Sequence, residues 1–385
     1  MNSKERLLTT LKHKIPDRIP WTLVISRYFL NKLEDRLANL DIIGFLSEVG
    51  ADGINWIGFD SVGRNVKVET FVDGVLVDTL EGGNWISLFY YYLEGLDFYN
   101  LKDGNVITRE YITPVGKLRA QYIYKAVSNT VFRFEYPIKT IEDCKILAYM
   151  VNDIKYSIDF DYINGIIKRV GNEGILAPML HCTPFYEMIW LYMGLERFHY
   201  FFFDYKKEML NLMYSMAEKY YECYQLYTKE VPVSAIIIPE DASTTLYSPQ
   251  FFNNYLKPVI KEYVDRIKEG NKIPILHACG HLKELAKYLS QTGIDCVESM
   301  SPPPTGNISV RDFKQALPGV CVAGGIPATV FTAGLSEFKE YVKNLIMENK
   351  TDGNFILSSG DSVPGDAKID NIYAIPELID KYGYY

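Results

Sequence analysis

The sequence predicts an α/β chain of the (β/α)8 TIM-barrel class with an antiparallel β insertion in its N-terminal third. Three observations predict it. From residue 142 onward, short apolar runs alternate with helical segments, the pattern of a parallel sheet buried on both faces. At least seven such units follow one another, and closing eight strands is the economical way to cover them. Between about 60 and 137 the alternation gives way to β-branched pairs joined by turn residues, which read as hairpins. The chain of 385 residues is therefore expected to be one barrel domain, 1–385, carrying that insertion.

Taken in order, 3–13 reads as an amphipathic helix, followed by the turn Pro16-Asp17-Arg18 and a short β-type run over 18–25. Helical periodicity returns over 28–49, and 52–58 is the next strand. Residues 66–79 form β-type runs broken by Asp73-Gly74, a hairpin signal. A second pair, 107–113 and 117–124, is joined by Pro114-Val115-Gly116. The later strands are 174–178, 235–238, 273–276, 296–297, 320–323 and 355–357. Long helices fill 186–230, and shorter ones 249–269, 281–291, 310–316, 335–348 and 371–382. Aromatic runs such as Phe89–Tyr92 and Tyr200–Phe203 are expected mainly in the core, with some rings lining a pocket.

Charge narrows the function. The 40 basic and 48 acidic residues give a net charge of −8 with no Lys/Arg cluster, so nucleic acid and anionic membranes are unexpected partners. No apolar stretch approaches the roughly 18 residues of a membrane span. The N-terminal segment lacks the apolar core of a secretory leader. The six cysteines are too sparse for a disulfide scaffold. A cytoplasmic protein is expected, and a homo-oligomer is compatible with the sequence.

In such barrels the functional residues follow the strands. Glu240-Asp241 follows 235–238, His277-Ala278-Cys279-Gly280 follows 273–276, and Glu298-Ser299 follows 296–297. Gly324-Gly325 follows 320–323, and Ser358-Ser359-Gly360-Asp361 follows 355–357. His277 and Cys279 at i, i+2 point to one side of a strand, and imidazole with thiolate suits zinc. Glu298 ends the next strand and can converge on the same point. The plainer reading is a hydrogen-bonded core histidine beside a buried cysteine. Asp361 has three readings: a fourth ligand, a group orienting His277, or a turn cap. Glu240 and Asp241 read as a general acid or base near the metal, or as capping and ion-pairing groups. His181-Cys182 also follows a strand but lacks the i, i+2 spacing. Cys321 reads as core, and Gly324-Gly325 as close packing.

These features occur alongside longer motifs: Lys4-Glu5-Arg6 with Pro16–Pro20, Thr113–Gly116, Ser248–Phe251, Leu276–Gly280, Ser301–Gly306 and Ile356–Asp361. On them, the chain resembles the uroporphyrinogen decarboxylase superfamily over nearly its whole length. The resemblance implies a (β/α)8 barrel. It also implies either a porphyrinogen decarboxylase or a zinc-dependent methyltransferase working with a corrinoid protein. The decarboxylases of the superfamily grip propionates with an arginine-rich segment near the N-terminus; the matching stretch here, Val24–Tyr28, holds only Arg27. Their central acid has one candidate, Asp60. The methyltransferases carry His-x-Cys and a later Cys as zinc ligands. His277 and Cys279 match, Asp361 stands at the later Cys, and Glu298 matches a ligand of the more distant cobalamin-independent methionine synthases.

The resemblance thus implies zinc held by His277, Cys279, Glu298 and Asp361. It implies a methyl group moved between a small thiol, ether or amine and a corrinoid (cobalamin). None of the five histidines is preceded two residues earlier by Asp, so an Asp-x-His-x-x-Gly corrinoid motif is missing and the corrinoid is expected on a partner protein. The alternative is a metal-free decarboxylase acting on a tetrapyrrole or a small carboxylic acid.

Overall fold

A computed structural model describes residues 1–63, 65–77, 101–127 and 130–385, with the side chains of all but 35 and 60–63. The run Phe89–Tyr92 lies outside them. In chain order the strands are Gly53–Ile57 (β1), Asp60–Gly63 (β2), Lys67–Val72 (β3), Val75–Val77 (β4), Val106–Thr113 (β5), Gly116–Lys125 (β6) and Thr130–Glu135 (β7). They continue with Ile154–Ser157 (β8), Gly174–Pro178 (β9), Ala235–Pro239 (β10), Ile273–His277 (β11), Cys296–Met300 (β12), Cys321–Ile326 (β13) and Phe355–Ser359 (β14). The described residues form two compact units: Met1–Ile57 with Phe160–Leu180 and Tyr227–Tyr385, and Gly58–Asp159 with His181–Leu226.

The first unit is α/β with parallel sheets. β1 pairs with β9, and β10 to β14 form a five-stranded sheet in sequence order. All residues of β9 to β14 are buried, save His277 at the end of β11, which is half-buried. Water-free faces on both sides explain why these strands are so uniformly apolar. Further hydrogen bonds extend the pairing. Leu180 N donates to Ile237 O (3.1 Å), Thr22 N to Leu357 O (2.9 Å) and Asp52 N to Trp21 O (2.7 Å).

The N-terminal motif turns out to be an ionic lock in this unit. Arg6 reaches Asp17 (2.7 and 2.9 Å) and Asp52 (2.6 Å), and Arg18 reaches the other oxygen of Asp52 (3.1 Å). Asp52 is fully buried and also accepts from Trp21 N. A buried carboxylate of this kind needs such partners.

The second unit carries an antiparallel sheet of order β4-β3-β5-β6-β7, and β2 paired antiparallel with β8. Asp73 and Gly74 both take positive φ (49° and 81°), the conformation that two-residue hairpin turns demand. Of the aromatic run at 200–203, Phe202 is buried while Tyr200 and Phe203 are exposed, which corrects the expectation of core. Helix Leu195–Asp204 turns Phe198 and Phe202, four residues apart, to one buried face. Helical stretches also differ in detail. The run expected at 28–49 is three short helices, Arg27–Leu30, Asp35–Ala38 and Ile42–Glu48, the first and last begun by capping side chains at Ser26 and Asp41. The one at 249–269 passes through a π turn, Phe252–Leu256, before Lys257–Glu269, where Pro258 removes a backbone donor. That at 281–291 is reduced to Ala286–Leu289.

Candidate functional site

The C-terminal ends of β10, β11 and β12 lie side by side. Pro239 is aligned with His277 and His277 with Glu298. The residues just beyond these ends therefore stand next to one another across the first unit. His277 Nδ1 lies 2.7 Å from Glu298 Oε2. Ser299 Oγ donates to the other oxygen, Glu298 Oε1, at 2.7 Å. Cys279 Sγ lies 3.8 Å from Asp241 Oδ1. Trp56, on β1, packs its ring edge-on to the His277 imidazole at 5.8 Å and 87°.

The loop holding the thiol is fixed by sterics. Gly280 has φ +86°, and a Cβ there would meet Ser243 Oγ at 2.7 Å. Ser243 Oγ in turn accepts from His281 N at 3.1 Å. Only glycine adopts that conformation freely, so Leu276–Gly280 closes tightly after β11 and presents Cys279. Five of the six cysteines are buried; Cys279 alone is half-buried.

Electrostatics couple the cluster. Burial would lower the basicity of His277, but the Glu298 carboxylate and the contact with Cys279 more than offset it, and its pKa stands well above the usual imidazole value. Burial pushes the Cys279 thiol up; His277 opposes this, while the charges of Asp241 and Asp361 add to it. Burial likewise raises Asp241 to about 6, against the pull of His277 and Cys279. Together these effects leave the Cys279 thiol less acidic than an ordinary cysteine.

The other residues singled out from the sequence stand as follows. Glu240 is fully buried, and its backbone N donates to His277 O at 3.1 Å. Asp361 is exposed, and its Oδ1 accepts from Ser362 N at 2.6 Å, a turn-closing bond. His181 and Cys182 are buried in the second unit. There the His181 ring stacks on Tyr220 (3.7 Å), its Nε2 meets Tyr156 Oη (3.0 Å), and burial holds its pKa well below the usual value. Asp60 lies in β2, and its side chain is outside those described. Among the described residues no three His, Cys, Asp or Glu side chains converge as they stand to hold a metal ion. The donors meet in a chain of pairwise contacts, Glu298 with His277, His277 with Cys279, and Cys279 with Asp241.

The family model for uroporphyrinogen decarboxylase (URO-D) matches residues 124–382, two thirds of the chain. The chain belongs to the uroporphyrinogen decarboxylase family. No curated protein matches it in sequence. Among solved structures, a methyltransferase from Methanosarcina mazei is similar with a TM-score of 0.62, 13% identity and 99% of both chains covered. At that identity the likeness speaks for the fold. A chain described as a vitamin-B12-independent methionine synthase from Listeria monocytogenes aligns over 59% of this chain and 71% of its own. Its identity is 14% and its TM-score 0.39, too loose to argue from.

Arg27, the one arginine of the N-terminal stretch Val24–Tyr28, is held within the fold. Its guanidinium donates to Leu40 O (2.6 Å) and Ala38 O (2.8 Å). Arg27 is thus engaged in closing helix ends, where carbonyls seek a donor.

Three residues of the site were not singled out from the sequence. Trp56 and Ser243 read as ordinary strand and loop residues. Ser299 was noted only as the neighbour of Glu298; nothing in Val297-Glu298-Ser299-Met300 announces that its hydroxyl meets the carboxylate.

Proposed function

We propose that this chain is a zinc-dependent methyltransferase, moving a methyl group between a small thiol, ether or amine and a corrinoid carried on a partner protein. The observation that carries the reading is the half-buried Cys279 thiol grouped with His277, Glu298 and Asp241 at adjacent strand ends. Fold likeness alone does not choose a reaction. The donor chemistry fits zinc, since imidazole nitrogen, thiol sulfur and carboxylate oxygen are its usual ligands. His277 and Cys279 would hold it. Zinc bound there would supply Lewis-acid polarisation of a substrate sulfur, oxygen or nitrogen.

The chain's own residues do the rest. Glu298 holds the His277 ring through Nδ1, and Trp56 limits its tilt. Gly280 and Ser243 fix the loop that presents the thiol. In the same reading, the run at 20–24 and β1 join the ends of the parallel sheets, so that eight strands close into a barrel with these residues at its rim. The backbone bonds Thr22–Leu357, Asp52–Trp21 and Leu180–Ile237 favour that closure.

The competing reading, a metal-free decarboxylase acting on a tetrapyrrole or small acid, needs basic groups for carboxylates. Arg27 is already engaged by backbone carbonyls, which favours the first reading. Elemental analysis of purified protein tests it. About one zinc per chain is expected in the wild type and a large loss in Cys279→Ser. Equal occupancy in both would refute it.

A further inference from the structure

We infer that Arg109 and Thr70 form a binding site for a small carboxylic acid, held as its carboxylate, on the buried face of the antiparallel sheet in the second unit. The two residues stand directly opposite each other on β5 and β3, and Ala120 stands opposite Arg109 on β6. Opposed residues of an antiparallel pair turn their side chains to the same face. Guanidinium and hydroxyl are therefore neighbours, and the small Ala120 leaves room beside them. Arg109 is 7% exposed and Thr70 1%. Among the described residues Arg109 makes no hydrogen bond and no ion pair, and the Thr70 hydroxyl has no partner either. A guanidinium stays charged in proteins, and a buried charge is normally paired. Arg6 of the first unit, 6% exposed, shows the ordinary solution: Asp17 and Asp52 accept from its guanidinium.

The same face of the sheet carries a second cation. Arg133 stands opposite Tyr122. Its guanidinium lies over that ring (4.9 Å to the centroid) and over Tyr136 (5.2 Å), and donates to Trp190 O in the π turn Met188–Met193 and to Tyr122 Oη (3.4 Å). Tyr111, two residues from Arg109, points to the same side of β5. Burial keeps it a phenol, against the pull of both guanidiniums towards phenolate, so it brings no negative charge to Arg109. The opposite face of the sheet pairs its charges, Lys117 with Glu110 and Arg119 with Glu135 (2.8 Å). The donor set selects the kind of anion. A planar guanidinium fork meets a planar carboxylate through two parallel bonds, and the Thr70 hydroxyl beside it can donate a third. The single Arg109 fork fits a small mono- or dicarboxylic acid, not a tetrapyrrole bearing many carboxylates. The inference does not depend on the zinc reading.

Isothermal titration of the full chain at neutral pH and constant ionic strength tests this. Acetate, succinate and benzoate are the probes, acetamide and benzamide the neutral controls, and inorganic phosphate the rival anion. The variants are Arg109→Met, which keeps a long stem and removes the charge, and Thr70→Val, which keeps the shape and removes the hydroxyl. Expected is saturable binding of at least one carboxylate by the wild type and of neither amide. Affinity should fall roughly 10–100-fold in Arg109→Met, which loses a charged partner, and roughly 3–10-fold in Thr70→Val, which loses a neutral one. Without ligand, both variants should melt no lower than the wild type, because each removes a buried polar group that has no partner in the fold. Failure of every carboxylate to bind, binding of phosphate alone, or carboxylate binding that Arg109→Met leaves unchanged would each overturn the inference. Should Arg109→Met fail to fold, Thr70→Val decides, and unchanged affinity there overturns it.

Discussion

Raising the pH should destabilise the second unit through one carboxylate, Glu187. This side chain is 2% exposed. It sits at the end of helix Pro184–Glu187, where the chain passes into the π turn Met188–Met193. Tyr192 Oη donates to its Oε1 at 3.3 Å; Tyr220 faces it without closing a bond of normal geometry. Burial dominates these two contacts and lifts its pKa from 4.5 to about 7. The folded state therefore binds this proton more tightly than the unfolded one. The group costs nothing below its unfolded pKa, and stability falls as pH rises from there until the folded pKa is passed. A gap of two to three units at 1.36 kcal/mol each is about 3 kcal/mol in full, of which about 2.5 kcal/mol is lost between pH 5 and pH 8. Glu187→Gln keeps the shape and removes the charge, at about 1 kcal/mol for an imperfectly matched amide. The variant should be slightly less stable than wild type at pH 5 and about 2 kcal/mol more stable at pH 8. Urea unfolding followed by circular dichroism at several pH values gives the difference directly, because other titrating groups cancel between the two proteins. A difference that stays flat from pH 5 to pH 8 would refute the reasoning.

Two further outcomes are expected. Asp52→Ala strips Arg6 and Arg18 of a fully buried partner and should cost about 3–5 kcal/mol, read as a lower urea midpoint; a change under about 1 kcal/mol would show that Asp17 alone satisfies Arg6. Incubation with uroporphyrinogen should give no coproporphyrinogen above background, since Arg27 is held by Leu40 O and Ala38 O; product formation well above background would contradict the assignment.

Much of the fold was legible because it is written in uninterrupted apolar runs. The runs at 235–238, 273–276 and 355–357 became β10, β11 and β14, each one or two residues longer than read. The extra residues, Pro239, His277, Ser358 and Ser359, pair in the sheet although they look like loop. The same effect hid β12, read as 296–297 but reaching Met300 through Glu298 and Ser299. The Asp73-Gly74 turn was legible because two-residue hairpins demand positive φ. β8 was not, since Lys155 and Ser157 break its apolar pattern.

At the site, the strand-end rule collected His277, Cys279, Glu298 and Asp241, which the structure groups on neighbouring strands. It did not say which carboxylate meets which donor. That depends on a bulge at Ser299, and strand periodicity assigns the residue the opposite face. Asp361 fell on the expected strand end too, yet its visible bond is to its own turn.

The most direct test of the account is methyl transfer itself. Full-length protein is loaded with zinc and given methylcobalamin with a panel of small thiols, and loss of the cobalt-bound methyl is followed by absorbance. Transfer to at least one thiol is expected. It should stop when a chelator strips the zinc, return when zinc is added back, and stay absent in Cys279→Ser. Transfer that persists unchanged in the stripped protein and in Cys279→Ser would contradict the central claim that a metal held at this thiol activates the substrate.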